Sequence, residues 1–226
     1  MNILVFAPHP DDEVLGCGGM IAKYSSKGHA VTVCIVTSGQ APVYDSSIAK
    51  SHGWPHNLYP EIVKSHKILG VAKTVFYELP AANLESIPRY VFNNKVLELV
   101  KEVRPDIVYI PHFGDMQKDH RLTSEAVMVA MRPRGEHIVK TVYSYETLSE
   151  TEWNIPHTSN MFFPNVFMDI SEYFEKKIEA IGCYKSQLSD FPAPRSFEAV
   201  TALAKLRGST CGTIYAEAFS LIREYS

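Results

Sequence analysis

The chain has 226 residues, 46% hydrophobic and 21% charged, an ordinary globular balance that is long enough to bury a core unaided. Twenty-two basic residues against 25 acidic ones give a formal charge of -3, so no basic field argues for nucleic acid or an anionic membrane as partner. No window reaches about 18 uninterrupted apolar residues, so no transmembrane helix is expected, and the first seven residues lack the basic start of a signal peptide. The four cysteines, Cys17, Cys34, Cys183 and Cys211, are scattered without a close pair and read as reduced packing residues of a cytoplasmic protein.

In chain order, residues 2–7 form a continuous apolar run, the pattern of a strand buried on both faces of a parallel sheet. Residues 14–27 have helical character and stop at Gly28; residues 31–37 are a second buried-strand run ending in Ser38-Gly39. Residues 38–60 mix polar and aromatic side chains without a period and read as a long loop over the carboxyl edge of the sheet. A helix over 61–69 closes at Gly70, a short strand follows at 74–77, and a helix spans 88–103 with proline at its start. A strand at 107–110 and a helix at 121–131 come next. Strands are expected at 141–146 and 165–169, and helices at 171–184, 196–206 and 215–224. The alternation predicts a doubly wound α/β fold over residues 1–226 as a single domain, with a mainly parallel sheet and helices on both faces.

Directly after the first strand stands Pro8-His9-Pro10-Asp11-Asp12-Glu13. Consecutive carboxylates repel one another unless something positive sits among them. One reading is an Asp-rich helix cap with a turn histidine. The other is a divalent cation: His9 and Asp12, three apart in a turn, can converge on a metal while Asp11 remains free as a base. Nitrogen and oxygen donors suit zinc (Zn2+), although iron, cobalt or manganese also fits. A catalytic zinc takes three protein ligands, and the strand at 107–110 runs into Pro111-His112-Phe113-Gly114-Asp115-Met116-Gln117-Lys118-Asp119-His120-Arg121. His120, at a loop-to-helix junction, is the better third ligand, and Asp119 can orient a ligand from behind. His112 reads at least as well as a strand-end histidine satisfied by backbone, and Asp115 equally as a turn or cap residue. His29, His52, His56 and His66 lack such context and are expected mostly on the surface.

The pair of motifs resembles the family of zinc-dependent amino-sugar N-deacetylases known as PIG-L or LmbE-like. Further stretches resemble its bacterial members, among them Tyr145-Glu146, Ser149-Glu150-Thr151-Glu152-Trp153 and Pro194-Arg195-Ser196. The resemblance implies a Rossmann-like fold with the metal site at the carboxyl ends of the strands and zinc held by His9, Asp12 and His120, with Asp11 as the general base toward a zinc-bound water. It implies an amide hydrolase acting on linear C–N bonds, its partner an N-acetylated amino sugar such as N-acetylglucosamine or a conjugate of it, and a homo-oligomer. Where several members carry an oxyanion-stabilising histidine, three positions before the zinc-binding one, this chain has Gln117, which can donate a hydrogen bond but carries no charge. No arginine near Leu58 matches one that some members use for sugar contact.

Two other functions fit the same residues. A Rossmann-like nucleotide- or sugar-binding protein would use the acidic turn only as a cap, yet carboxylates just before Gly16, Gly18 and Gly19 would repel a pyrophosphate. An esterase would use the same zinc site. The segments Trp54 to Tyr59 and Glu152-Trp153 are candidate sugar-stacking walls or packing anchors. Arg195 and Arg207 are candidates for an anionic group on the substrate or for structural ion pairs.

Overall fold

The opening apolar run becomes strand β1 (Asn2–Ala7), with Ile3, Val5 and Ala7 on one face of the sheet and Leu4 and Phe6 on the other, all buried. The computed structural model describes residues 1–38, 58–134 and 137–226. After β1 come α1 (Asp12–Ser26), β2 (Ala30–Thr37), α2 (Tyr59–Leu69), β3 (Lys73–Leu79), α3 (Arg89–Val103) and β4 (Ile107–Pro111). Then follow α4 (Lys118–Ala130), β5 (Thr141–Tyr145), β6 (Val166–Asp169), α5 (Phe174–Ile181), α6 (Phe197–Cys211) and β7 (Ala216–Glu224). One sheet takes all seven strands in the order β3-β2-β1-β4-β5-β7-β6. The first five run parallel, in a register that sets Ile3 beside Val31 and Ile107, while β7 lies antiparallel between β5 and β6.

Helices α1, α2 and α5 cover the face of Ile3 and Val5 through Val14, Met20, Ile62 and Ile181. Helices α3 and α4 cover the face of Leu4 and Phe6 through Phe92, Val96, Ala126 and Val127. This is the expected doubly covered α/β sheet. From β1 the chain first builds outward through β2 and β3, then returns to place β4 on the other side of β1. Connections therefore diverge at the β1/β4 boundary, opening a crevice at the carboxyl ends of those two strands.

The glycines after β1 serve packing. A Cβ on Gly16 would overlap the Tyr145 ring, and one on Gly19 would meet Ile170 at 2.6 Å, so α1 can lie this close to β5 and the chain after β6 only without those side chains.

The segment 215–224, expected as a helix, is instead strand β7. Its Ala-Glu-Ala opening favours helix locally, but pairing on both sides overrides that propensity. Within it, buried Glu217 accepts the backbone N–H groups of Gly19 and Met20 at 2.8 and 2.7 Å, while buried Lys177 bonds Glu217 and the Leu15 carbonyl. Strand β7 thus anchors the helix that carries Asp12. The helix expected over 171–184 is a 3-10 turn (Ser171–Tyr173) followed by the shorter α5. Of the long loop expected over 38–60, residues 39–57 lie outside the described residues, and α2 begins at Tyr59. No helix of the described residues is long and apolar enough to cross a membrane.

Candidate metal centre

Both motifs enter the β1/β4 crevice. The turn after β1 is tied down by Thr37 at the end of β2, whose N–H and hydroxyl both bond the Pro8 carbonyl at 2.9 and 2.8 Å. Asp11 then occupies the position before α1 with φ 102°, in the left-handed half of backbone space, and its side chain caps nothing. Such a conformation costs an aspartate on the order of 1–3 kcal/mol and persists only where the surroundings over-determine it. Here the Asp11 N–H bonds Glu13 Oε2 at 3.1 Å and its carboxylate takes Arg195 Nη1 at 2.8 Å. The helix-cap reading of this aspartate is therefore not what the side chain does.

His9, Asp12 and His120 come together, each offering a donor atom within 4.8 Å of the others. His9 Nδ1 lies 3.3 Å and His120 Nε2 3.2 Å from Asp12 Oδ2. Asp12 and His120 are fully buried, yet Asp12 Oδ1 and His120 Nε2 make no hydrogen bond; the 3.2 Å approach lacks the geometry for one. Buried polar atoms without partners are rare and costly, and a cation among them would satisfy both. The outward nitrogens are held by carboxylates. His9 Nε2 lies 2.9 Å from Asp119 Oδ2 and His120 Nδ1 2.8 Å from Asp115 Oδ2, an arrangement that fixes each tautomer and points the other nitrogen inward. Two imidazoles and a carboxylate are a donor set that fits zinc.

The electrostatics agree. Burial alone would lower the pKa of His9, but its bonds with Asp119 and Asp12 outweigh burial and lift it to about 9. His120 is likewise depressed by burial and more than restored by Asp12 and Asp115, to well above the ordinary value. Burial would raise Asp12, yet His120 and His9 hold it well below the carboxylate range. The pocket is thus built to hold positive charge, as protons or as a cation. Asp11 differs: burial raises it, Arg195 pulls it back, and Asp12 and Glu13 push it up again, to about 8. The Asp11 Oδ1 atom is buried and without a partner.

Around this cluster stand further groups drawn from distant stretches of the chain. Glu13 is fully buried and accepts from Tyr184 Oη at 2.6 Å while lying 3.2 Å from His66 Nε2. His66, expected at the surface, is buried because this carboxylate needs a partner from α2. Asp115 is no mere turn residue: besides His120 it accepts the Thr151 hydroxyl at 2.6 Å. Gln117, at the cap position of α4, donates its amide to Glu150 Oε1 at 3.0 Å, which uses one of its two amide hydrogens. His112 lies 3.0 Å from the Asn160 carbonyl, the backbone-satisfied alternative. Both arginines make ion pairs within the chain: Arg207 grips Glu146 with two bonds, and Arg195 meets Asp11 and Glu150. Trp153 is exposed, and Trp54 lies outside the described residues. Cys17, Cys34 and Cys183 are free and buried, as packing residues are, while Cys211 is exposed.

The family model described as "PIG-L: GlcNAc-PI de-N-acetylase" matches residues 4–131, more than half of the chain and both motifs. The chain belongs to the PIG-L family. Among relatives of this PIG-L chain, the uncharacterized deacetylase YaiS of Escherichia coli K12 is 29% identical over 82% of the chain and 91% of its own length. The diacetylchitobiose deacetylase of Thermococcus kodakarensis is 26% identical, covering 98% of this chain and 83% of that protein. The crystal structure of GalB, the 4-carboxy-2-hydroxymuconate hydratase of Pseudomonas putida KT2440, superposes with a TM-score of 0.77 over 100% of this chain and 98% of its own, at 21% identity. That likeness shows the fold alone, and a hydratase on the same fold means that the reaction must be argued from the site.

Proposed function

We propose that this chain is a zinc-dependent N-deacetylase, an amide hydrolase that removes the acetyl group from an N-acetylglucosamine-type sugar or its conjugate, working in the cytoplasm as a single domain. The observation that carries the reading is the convergence of His9, Asp12 and His120, with orphaned donor atoms, at the switch point of a PIG-L chain. The activity named for the Thermococcus relative, on an N-acetylated disaccharide, supports the substrate class.

In this reading His9 Nδ1, one Asp12 oxygen and His120 Nε2 hold the metal, with Asp119 and Asp115 fixing the two rings. When bound, zinc supplies Lewis acidity, lowering the pKa of a coordinated water toward about 7 and polarising the amide carbonyl. Asp11 takes the proton of the attacking water on its unpartnered Oδ1 and returns it to the leaving amine. Gln117, three residues before His120, has a second amide hydrogen to offer the developing oxyanion. The nucleotide-binding alternative fares worse, because Gly16 and Gly19 serve helix packing and buried carboxylates line the turn where phosphates would sit.

The test is acetate release from a panel of N-acetyl sugars, their nucleotide conjugates and O-acetyl controls, before and after chelation. N-acetyl turnover that chelation abolishes and zinc restores is expected. Turnover that survives exhaustive chelation, or that is confined to O-acetyl esters, would overturn the reading.

A further inference from the structure

We propose that Arg195 is the positioning residue of the general base: it clamps one oxygen of Asp11 and thereby sets the other as the oxygen that acts. The inference rests on the deacetylase reading for the role of Asp11, but the clamp itself is a matter of geometry. Arg195 lies in the segment between α5 and α6, well beyond the stretch that the family model matches.

Three faces of the guanidinium are engaged. Nη1 donates to Asp11 Oδ2 at 2.8 Å, Nε donates to the Ser149 hydroxyl at 2.8 Å, and Nη2 lies 3.5 Å from Glu150 Oε1. The residues it joins come from the turn after β1 and the loop after β5. Two of them, Asp11 and Ser149, are non-glycine residues with positive φ, 102° and 72°. One side chain thus ties together two backbone positions that neither segment would adopt unaided. The carboxylate of Asp11 is left asymmetric: Oδ2 is pinned and Oδ1 is buried without a partner. Free rotation would exchange the two oxygens; the pinned one prevents it. The guanidinium reaches Asp11 and Ser149 from two nitrogens held in one plane, a geometry that the single ammonium nitrogen of lysine does not reproduce. Three of the five N–H donors of the guanidinium are directed at groups of the chain itself, the Asp11 carboxylate among them, so the clamp requires no anionic group on the substrate.

The experiment compares the zinc-loaded full chain with Arg195→Ala and Arg195→Lys. In crystals of the Ala variant, Asp11 should leave its φ near 102° or turn its carboxylate, while zinc stays bound. With N,N'-diacetylchitobiose as probe, kcat should fall by about 100-fold, the effect of a misplacement near 1 Å, with KM within about twofold. Millimolar guanidinium should restore part of the Ala activity and none of the Lys activity. An Asp11 that superposes on the wild type in the Ala variant would overturn the clamp, as would an unchanged kcat or a loss confined to KM. If the Ala variant fails to fold, Arg195→Lys decides, because it keeps the charge and removes the fork. A wild type that releases no acetate in a zinc-dependent way would defeat the deacetylase reading instead, and the position of Asp11 in the variant crystals would still decide the clamp.

Discussion

Replacing Asp115 by asparagine tests how much of the metal site resides in the carboxylate behind it. Asp115 is fully buried, with Oδ2 2.8 Å from His120 Nδ1 and Oδ1 accepting from the Thr151 hydroxyl at 2.6 Å. Asparagine keeps the shape: its carbonyl can still accept from the ring, and Thr151 can turn its hydroxyl to accept from the new amide. What disappears is the charge. A hydrogen bond to a charged group contributes about 1.5–3 kcal/mol and a neutral one about 0.5–1.5, so the loss is about 1–1.5 kcal/mol of ring basicity and orientation. At 1.4 kcal/mol per decade, the zinc Kd should rise about tenfold, the lower end of the 10- to 100-fold range for such partners. Asp119→Asn should cost more, because its two oxygens accept the Ala82 and Leu84 N–H groups as well as facing His9, and an amide would set donor against donor. The assay is competition against a chelator of known zinc affinity, with unfolding followed in parallel to show both variants folded. A Kd for Asp115→Asn within twofold of the wild type would refute the argument that this carboxylate tunes the site.

The pair Asp11→Asn and Asp12→Ala separates base from ligand: the first should keep zinc while kcat falls by about 10² to 10⁴, the second should lose both, and the reverse pattern in bound zinc would exchange the roles. Zinc affinity should rise with pH, because His9, with a pKa of about 9, and His120, well above its ordinary value, hold protons that ligation must expel. The His9 proton alone makes the rise about tenfold per unit below about pH 9, and the His120 proton steepens it further; a flat profile in chelator competition would contradict it. Gly16→Ala drives a methyl into the Tyr145 ring, whose hydroxyl is tethered to the Phe6 carbonyl at 2.7 Å. It should destabilise the fold by about 1–3 kcal/mol, read as a lower urea midpoint at unchanged slope; an unaltered midpoint would count against close α1–β5 packing.

Much of this molecule was legible because its chemistry sits where the pattern changes. Buried runs at β1 and β4 announce parallel strands, and a polar, carboxylate-rich turn directly after each marks the strand ends that meet at the crevice. His9, Asp12 and His120 were therefore readable as residues that converge, and Asp119 as a neighbour of His9. Strand β7 was not, since alanine and glutamate favour helix in isolation and only the two neighbouring strands decide otherwise. Glu13, His66 and Tyr184 form one buried group assembled from distant stretches of chain, and no local spacing signals it. Arg195 was visible as a candidate, but its partner Asp11 lies 184 residues away, so its choice between substrate and carboxylate needed the fold.

Whether His9, Asp12 and His120 hold a zinc ion is decided by anomalous diffraction at the zinc edge, on crystals of protein purified without added metal. One peak per chain is expected at the β1/β4 crevice, about 2.0–2.2 Å from His9 Nδ1, an Asp12 oxygen and His120 Nε2. An absent peak after zinc addition, or a peak seated on other residues, would contradict it.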